Sequence, residues 1–371
     1  MGEKNNIIDY ISWRGDLPFT KDPVNEVDAL VFSVLAYVNL EKLDWASAPT
    51  IKDLAKLQEY LDKEEGDYGP RIIADPVKKL MKLVAESTRY QDIGIRDYRC
   101  ILDEATQMQF AATSFDLPDN GLFIAYRGTD ESLIGWKEDL NMSFVDGIPS
   151  QMEASLFALE QIEESDRYII LSGHSKGGNL AVWAAAYLDE DKKNRILDIY
   201  SNDAPGFSHA FLDSDEYCSV RDRIHSFVPE SSIVGILLEH DDYTTIQSTN
   251  LTVFQHDPFS WSVDGRHFIY MKRRTIIGQQ MDYWINIWIK ALSTEEREQI
   301  VEYIWSIISS SNAKTLNDIN ETKIRSALSM QKAFIGMEPA KQKQMFSCLT
   351  KLVTNSITSH ISLIQEKIQP D

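Results

Sequence analysis

A chain of 371 residues, 43% hydrophobic and 25% charged, can bury a sizeable core and hold about two structural units. Its net charge of −20 excludes a nucleic-acid backbone as ligand and reads most simply as a device for solubility. Three widely spaced cysteines, Cys100, Cys218 and Cys348, make neither a disulfide framework nor a metal cluster; no apolar run approaches a membrane span and no signal core opens the chain, so no transmembrane segment and a cytoplasmic setting are expected.

Residues 1–28 are polar with scattered aromatics. Val27–Leu40 reads as a buried helix, and 53–63 and 76–88 as amphipathic helices, the last with Val77, Leu80, Leu83 and Val84 at helical spacing. Met108–Ser114 and Gly121–Tyr126 read as strands joined through Pro118-Asp-Asn-Gly into an antiparallel hairpin. Arg127-Gly128-Thr129-Asp130 follows, with Trp136 and Asp139-Leu140 just beyond. Gln151–Ser165 reads as a helix leading into Tyr168–Leu180. That stretch has an apolar half rich in β-branched residues, then Gly173, Ser175 and Gly177 at the spacing G-x-S-x-G, then an Ala-rich helical pattern. Strand, glycine-flanked serine and helix are the context of a nucleophile elbow: small neighbours allow the sharp turn, and the helix N-terminus favours a developing anion.

Further strands are expected at Ile196–Ser201, Arg223–Val228, Tyr243–Ser248 and Leu251–Phe254. From about residue 283 the pattern turns helical: Trp284, Ile285, Trp288 and Ile289 begin a stripe, Ser293 and Glu296 form a capping box, and Val301, Ile304, Trp305 and Ile308 continue one face. Ile324, Leu328, Met345, Leu349, Val353, Ile357, Ile361 and Ile364 mark later helices, expected to pack against the sheet. Residues 283–371 carry ten basic and nine acidic residues, so the acidity belongs to residues 1–282. The fold class expected is α/β: a core with a mostly parallel sheet over 95–282, a mainly helical N-terminal segment over 1–94, and an all-helical C-terminal module over 283–371.

A serine nucleophile needs a base, a group to orient that base, and donors for the oxyanion. In α/β-hydrolases the order along the chain is Ser, acid, His. His256, in a polar loop after the last strand candidates, is the first candidate base; His240 is the second, with His209, His225, His267 and His360 behind them, while the side chain of His174 should point away from Ser175. Asp203, ending the strand after the Ser175 unit, is the first candidate acid, though a turn-former or helix cap before Pro205 is an alternative role for it. Glu230 is the second candidate; Asp257 lies too near His256 in sequence, and Asp241 and Asp242 read as a solvated loop. For the oxyanion, the backbone N–H of Lys176 and the Gly128–Thr129 segment are the candidate donors. The Lys176 side chain is expected at the helix surface, the other option being a positive charge near the site.

Tyr126-Arg-Gly-Thr, Trp136…Asp139-Leu140 and Gly173-His-Ser-Lys-Gly-Gly-Asn-Leu-Ala resemble the class 3 lipases over roughly residues 95–270. Trp13-Arg-Gly-Asp-Leu, Ser231-Ser-Ile-Val-Gly-Ile-Leu-Leu-Glu-His and Gln255-His-Asp-Pro-Phe-Ser-Trp resemble, more closely, an uncharacterised bacterial family of lipase-like proteins of unknown function. The resemblance implies an α/β-hydrolase core with Ser175 as nucleophile, His256 as base and Thr129 in the oxyanion hole. One departure stands out: the class 3 lipases carry their acid where this chain has Ser232. The acid is then Asp203, or Glu230, or absent, leaving a Ser–His dyad. Two functions follow. One is a serine hydrolase cleaving a small-molecule or lipid carboxylic ester through an acyl-enzyme, with no cofactor and no metal; the other is a catalytically degenerate binding or scaffold protein that keeps the fold.

Overall fold

Alternation at period two builds the centre of the molecule. Phe123 and Ala125 of one strand and Ile170 of the next face one buried layer, while Leu122, Ile124 and Tyr126, with Ile169 and Leu171, face the other. A sheet apolar on both faces must be covered on both. In the computed structural model, which describes residues 5–63, 68, 70–275, 278–279, 292–311, 313–315, 318, 323–347 and 350, it is.

Seven strands lie side by side in chain order: β1 (Gly94–Asp103), β2 (Met108–Leu117), β3 (Gly121–Tyr126), β4 (Tyr168–His174), β5 (Ile196–Asn202), β6 (Ile224–Pro229) and β7 (Thr244–Ile246). The pairs β1–β2 and β2–β3 are antiparallel, and each pair from β3 to β7 is parallel. This mixed, mostly parallel sheet is that of an α/β-hydrolase-like fold. The short Pro118–Asn120 turn permits the antiparallel return, whereas the parallel pairs require crossovers. Strand β1 gave no apolar signal because it is an edge strand whose charges are paired: Arg96 with Asp116 and Asp166, and Arg99 with Glu153 and Glu160.

Helices α1 (Ile7–Arg14), α2 (Glu26–Leu35), α3 (Leu54–Lys63) and α4 (Arg71–Glu86) precede the sheet. Helix α1 went unread in the sequence; its start is a capping box of Asn6 and Asp9. Helix α2 opens on the same device, Asn25 with Asp28, and ends sooner than expected. It lies on β4, where Ser33 Oγ meets Ser172 Oγ at 2.7 Å, both fully buried. Helix α4 starts a turn before its expected start, so Pro76 falls inside it. Helices α6 (Pro149–Gln161) and α7 (Lys176–Ala186) cover the opposite face through Phe157, Leu180 and Trp183.

Leu251–Phe254, expected as a strand, is not one: Thr252–His256 is a 3₁₀ turn, with Thr252 at φ 51° and Leu251 and Phe254 exposed. Ser293 caps the helix Thr294–Ser309 through the box with Glu296. That helix packs on α5 (Leu133–Asn141) rather than on the sheet, through the Lys137–Glu302 ion pair at 2.9 Å; the nearby Leu133 N–H donates to the Lys314 carbonyl. The boundary near 283, with Trp284, Ile285, Trp288, Ile289, Cys348, Leu349, Val353, Ile357, His360, Ile361 and Ile364, lies outside the described residues.

Candidate active site

Strand β4 ends at His174 and α7 begins at Lys176, leaving Ser175 alone to make the turn. It does so at φ 60°, ψ −137°, a conformation that costs a non-glycine residue about 1–3 kcal/mol. The turn closes only because its neighbours lack side chains: a Cβ on Gly173 would overlap the Gly177 carbonyl, and one on Gly177 would overlap the Tyr126 carbonyl. The Ser175 N–H donates to the Asn202 carbonyl on β5 at 2.9 Å, tying the turn to the neighbouring strand end. The segment after β3 presses on the same serine, since a Cβ on Gly128 would stand 2.9 Å from Ser175 Cβ and 2.6 Å from the His174 carbonyl.

At the end of β5 the chain turns through Asp203, another non-glycine residue in the left-handed region, at φ 49°. Its side chain is wholly buried, and its Oδ2 lies 2.7 Å from His256 Nδ1. Ser232 Oγ donates to that same oxygen at 2.8 Å. A carboxylate only accepts, so Nδ1 of His256 carries the proton and Nε2 is left as an acceptor, the tautomer a general base requires. Gly235 is needed behind the carboxylate, because a Cβ there would overlap Asp203 Oδ1.

A second histidine fixes the loop that holds His256. The rings of His174 and His256 lie 4.6 Å apart, and His174 Nε2 contacts the His256 carbonyl at 2.9 Å. A carbonyl only accepts, so Nε2 donates, and the Tyr37 hydroxyl donates to Nδ1 at 3.0 Å. The Tyr37 hydroxyl also lies hard against the Gly128 segment, since a Cβ on Gly128 would overlap it. Burial holds the His174 pKa well below the ordinary histidine range, consistent with a neutral ring. The side chain of His174 thus packs against His256 and Tyr37. Tyr37, which the sequence did not single out, comes from the N-terminal segment and links the Gly128 and His256 loops. Tyr37→Phe leaves Nδ1 of a buried ring without its donor, and is expected to lower unfolding free energy by about 1–3 kcal/mol in a urea titration; an unchanged midpoint would contradict this link.

The remaining candidates are engaged differently, although His240 lies within electrostatic reach of Asp203. The carboxylate on His256 is that of Asp203, while Glu230 has its backbone N–H on the Ile246 carbonyl. Asp257 caps the Pro258–Ser260 turn through the Phe259 N–H, and Asp241 and Asp242 are exposed. His209 pairs with Glu239, His225 with Asp198 and His267 with Glu26. Burial pushes His240 down to about 4, and its Nε2 is enclosed without a hydrogen bond.

Lys176 is not at the helix surface. Its side chain is 1% exposed, and Nζ donates to the Gln109 carbonyl at 2.9 Å, to Gln109 Oε1 at 2.8 Å and to Glu138 Oε2 at 2.9 Å. Asp139 Oδ1 stands 3.7 Å from the same ammonium, while Asp139 Oδ2 accepts from the Thr129 hydroxyl at 2.6 Å. A lysine directly after G-x-S, with the pair Glu138-Asp139 on a nearby helix, was the available sign of this cluster. Among the described residues no group of three or more His, Cys, Asp or Glu could hold a metal, and no helix is long and apolar enough to cross a membrane.

Residues 84–306 match the family described as Mbeg1-like. Among solved structures, the chain is similar to the Rhizomucor miehei lipase propeptide complex, native, at 21% identity over 43% of this chain and 57% of that one, with a TM-score of 0.33. It is similar to M37 lipase at 16% identity, over 57% of this chain and 70% of that one, TM-score 0.35. A deletion mutant of the same Rhizomucor miehei lipase propeptide complex aligns at 15% identity over 72% of this chain and 94% of that one, TM-score 0.36. The chain thus spans little more than half the length of the first of these structures. No curated protein matches the chain.

Proposed function

The chain belongs to the Mbeg1-like family, and we propose that it is a serine hydrolase that cleaves carboxylic esters through an acyl-enzyme. The observation that carries this reading is the Asp203–His256 pair, 2.7 Å apart, on the loop bound by the histidine next to a strained serine at a helix start. In this reading Ser175 Oγ attacks the ester carbonyl and His256 Nε2 takes its proton. Asp203 holds the imidazole in the productive tautomer and stabilises the imidazolium. The oxyanion forms against the backbone N–H groups of Lys176 and Thr129, next to the positive end of α7. His256 then gives its proton to the leaving alcohol. A water molecule repeats the sequence on the acyl-enzyme, restoring Ser175 and releasing the acid.

Ser232 was the reason to weigh a degenerate, non-catalytic scaffold. It donates to the carboxylate that holds His256, so its presence in the slot where class 3 lipases carry an acid no longer argues for an incomplete site. The exposed Trp136 and Leu140 on α5, and Leu251 and Phe254 beside His256, suit an ester with an apolar acyl chain. The purified protein should hydrolyse p-nitrophenyl butyrate, and Ser175→Ala should reduce the rate at least about 10⁴-fold while remaining folded. A Ser175→Ala rate equal to wild type would remove the proposal.

A further inference from the structure

We propose that Lys176 is a positioning residue for both halves of the oxyanion site, its buried ammonium orienting Thr129 through Asp139. The inference rests on the hydrolase reading above and adds a residue role to it. Its ground is geometric. The backbone of Lys176 supplies one oxyanion donor, and its side chain leaves α7 for the protein interior instead of solvent. There the ammonium meets acceptors from β2 and α5: the carbonyl and side chain of Gln109, and Glu138. Its three protons are thus taken up, yet Asp139 Oδ1 still stands 3.7 Å away, enclosed and without a hydrogen bond of its own. The Lys176 charge therefore faces that otherwise unpartnered oxygen, while the other oxygen of the same carboxylate accepts the Thr129 hydroxyl.

The chemistry follows from the number of protons available. The Thr129 hydroxyl has one proton, and an ionised Asp139 takes it at 2.6 Å. That bond fixes the Thr129 side chain and leaves the backbone N–H of this segment to face the oxyanion. Were Asp139 protonated, its own O–H would compete as donor and the Thr129 hydroxyl would be free to turn. Burial pushes the Asp139 carboxyl up to about 6, with Lys176 and the Thr129 hydrogen bond pulling it down and Glu138 and Asp130 pushing it up; Tyr37 and Arg127 also lie within electrostatic reach of this segment. Without Lys176 the carboxyl loses the largest of the influences that hold it down, and Asp139 would keep its proton into the neutral range. The pair Glu138 and Asp139 thus divides two tasks: Glu138 anchors the lysine, also accepting the Gln109 and Ser150 backbone N–H groups, and Asp139 passes its charge to Thr129.

The test is a double-mutant cycle read by the rate at which a fluorophosphonate probe modifies Ser175 at pH 7.5. Lys176→Met and Asp139→Asn should each slow modification about 10- to 100-fold, less than the loss of a whole oxyanion donor. If Lys176 acts through Asp139, the double variant is no slower than the slower single variant by more than about threefold. Steady-state turnover of p-nitrophenyl butyrate should show the loss in kcat, with KM within about twofold. Should Lys176→Met fail to fold because Glu138 is left buried and unpaired, Lys176→Gln removes the charge and keeps a donor for Glu138. A folded Lys176 variant that reacts at the wild-type rate overturns the proposal, as do losses that multiply in the double variant. A wild-type protein that the probe does not modify overturns instead the hydrolase reading beneath it.

Discussion

Asp203→Asn is expected to lower kcat about 10⁴-fold with the fold intact. The amide matches the carboxylate in shape, but its NH₂ donates where the carboxylate accepts. His256 Nδ1, now 2.7 Å from Asp203 Oδ2, would then be held as an acceptor, and the proton would move to Nε2. A base already protonated at Nε2 cannot take the proton of Ser175, and the loss of the correct tautomer alone is worth about four orders of magnitude in a serine triad. Glu230→Gln should leave kcat within about twofold, which separates the two candidate acids. The measurement is kcat on p-nitrophenyl butyrate, with near-ultraviolet circular dichroism to confirm folding. An Asp203→Asn rate within tenfold of wild type would remove Asp203 from the mechanism.

Asp28→Ala is expected to produce the largest loss of stability. Asp28 is wholly buried at the start of α2 and accepts from five donors: the hydroxyls of Tyr10 at 3.0 Å and Tyr90 at 2.5 Å, Arg89 Nε at 2.8 Å, Arg89 Nη2 at 2.5 Å and the Asn25 N–H at 3.0 Å. Arg89 is just as enclosed, and its Nη1 also holds the Leu17 and Asp22 carbonyls. Removing Asp28 leaves that guanidinium with only the more distant Asp22 carboxylate, at 3.8 Å, as countercharge, at a cost of about 3–5 kcal/mol, a large share of a typical folding free energy of about 5–15 kcal/mol. Urea unfolding at neutral pH reads this directly, and a loss below about 1 kcal/mol would contradict the role. The consequence reaches the site. The network binds α1, α2 and the segment after α4 together, and the chain leaving α2 delivers Tyr37 to His174. It also explains Trp13-Arg-Gly-Asp-Leu: Arg14 pairs with Asp22, the Gly15 carbonyl accepts the Arg89 N–H, and a Cβ on Gly15 would be 2.9 Å from Ser87 Cβ.

What could be read from the chain, and what could not, divides along physical lines. The Ser175 turn was legible because it is local: a strand, a run of glycines and a helix leave their marks within a dozen residues. The edges of β3 and the cap at Ser293 were legible for the same reason. The position of β1 was not, because its polar residues pair across space with Asp116, Glu153, Glu160 and Asp166. Asp203 could be ranked by its place at a strand end, but its contact with His256 spans 53 residues and no spacing rule encodes it. Ser232 misled in an informative way. It stands where the resemblance to class 3 lipases puts an acid and, instead of leaving the site empty, it donates to a carboxylate from the preceding strand. Lys176 shows the weakness of assigning a charged residue to the surface by type alone: long side chains go inside when a carboxylate waits there, and Glu138 does. Tyr37 had no signal at all, since a tyrosine in an apolar run reads as core.

In the proposed mechanism everything depends on Ser175 being an activated nucleophile. Incubating the protein with a fluorophosphonate probe, digesting it and locating the adduct by mass spectrometry tests this most directly. One adduct per chain is expected, on Ser175, abolished in Ser175→Ala and strongly slowed in His256→Ala. An unmodified protein, or an adduct on another residue that survives Ser175→Ala, would contradict it.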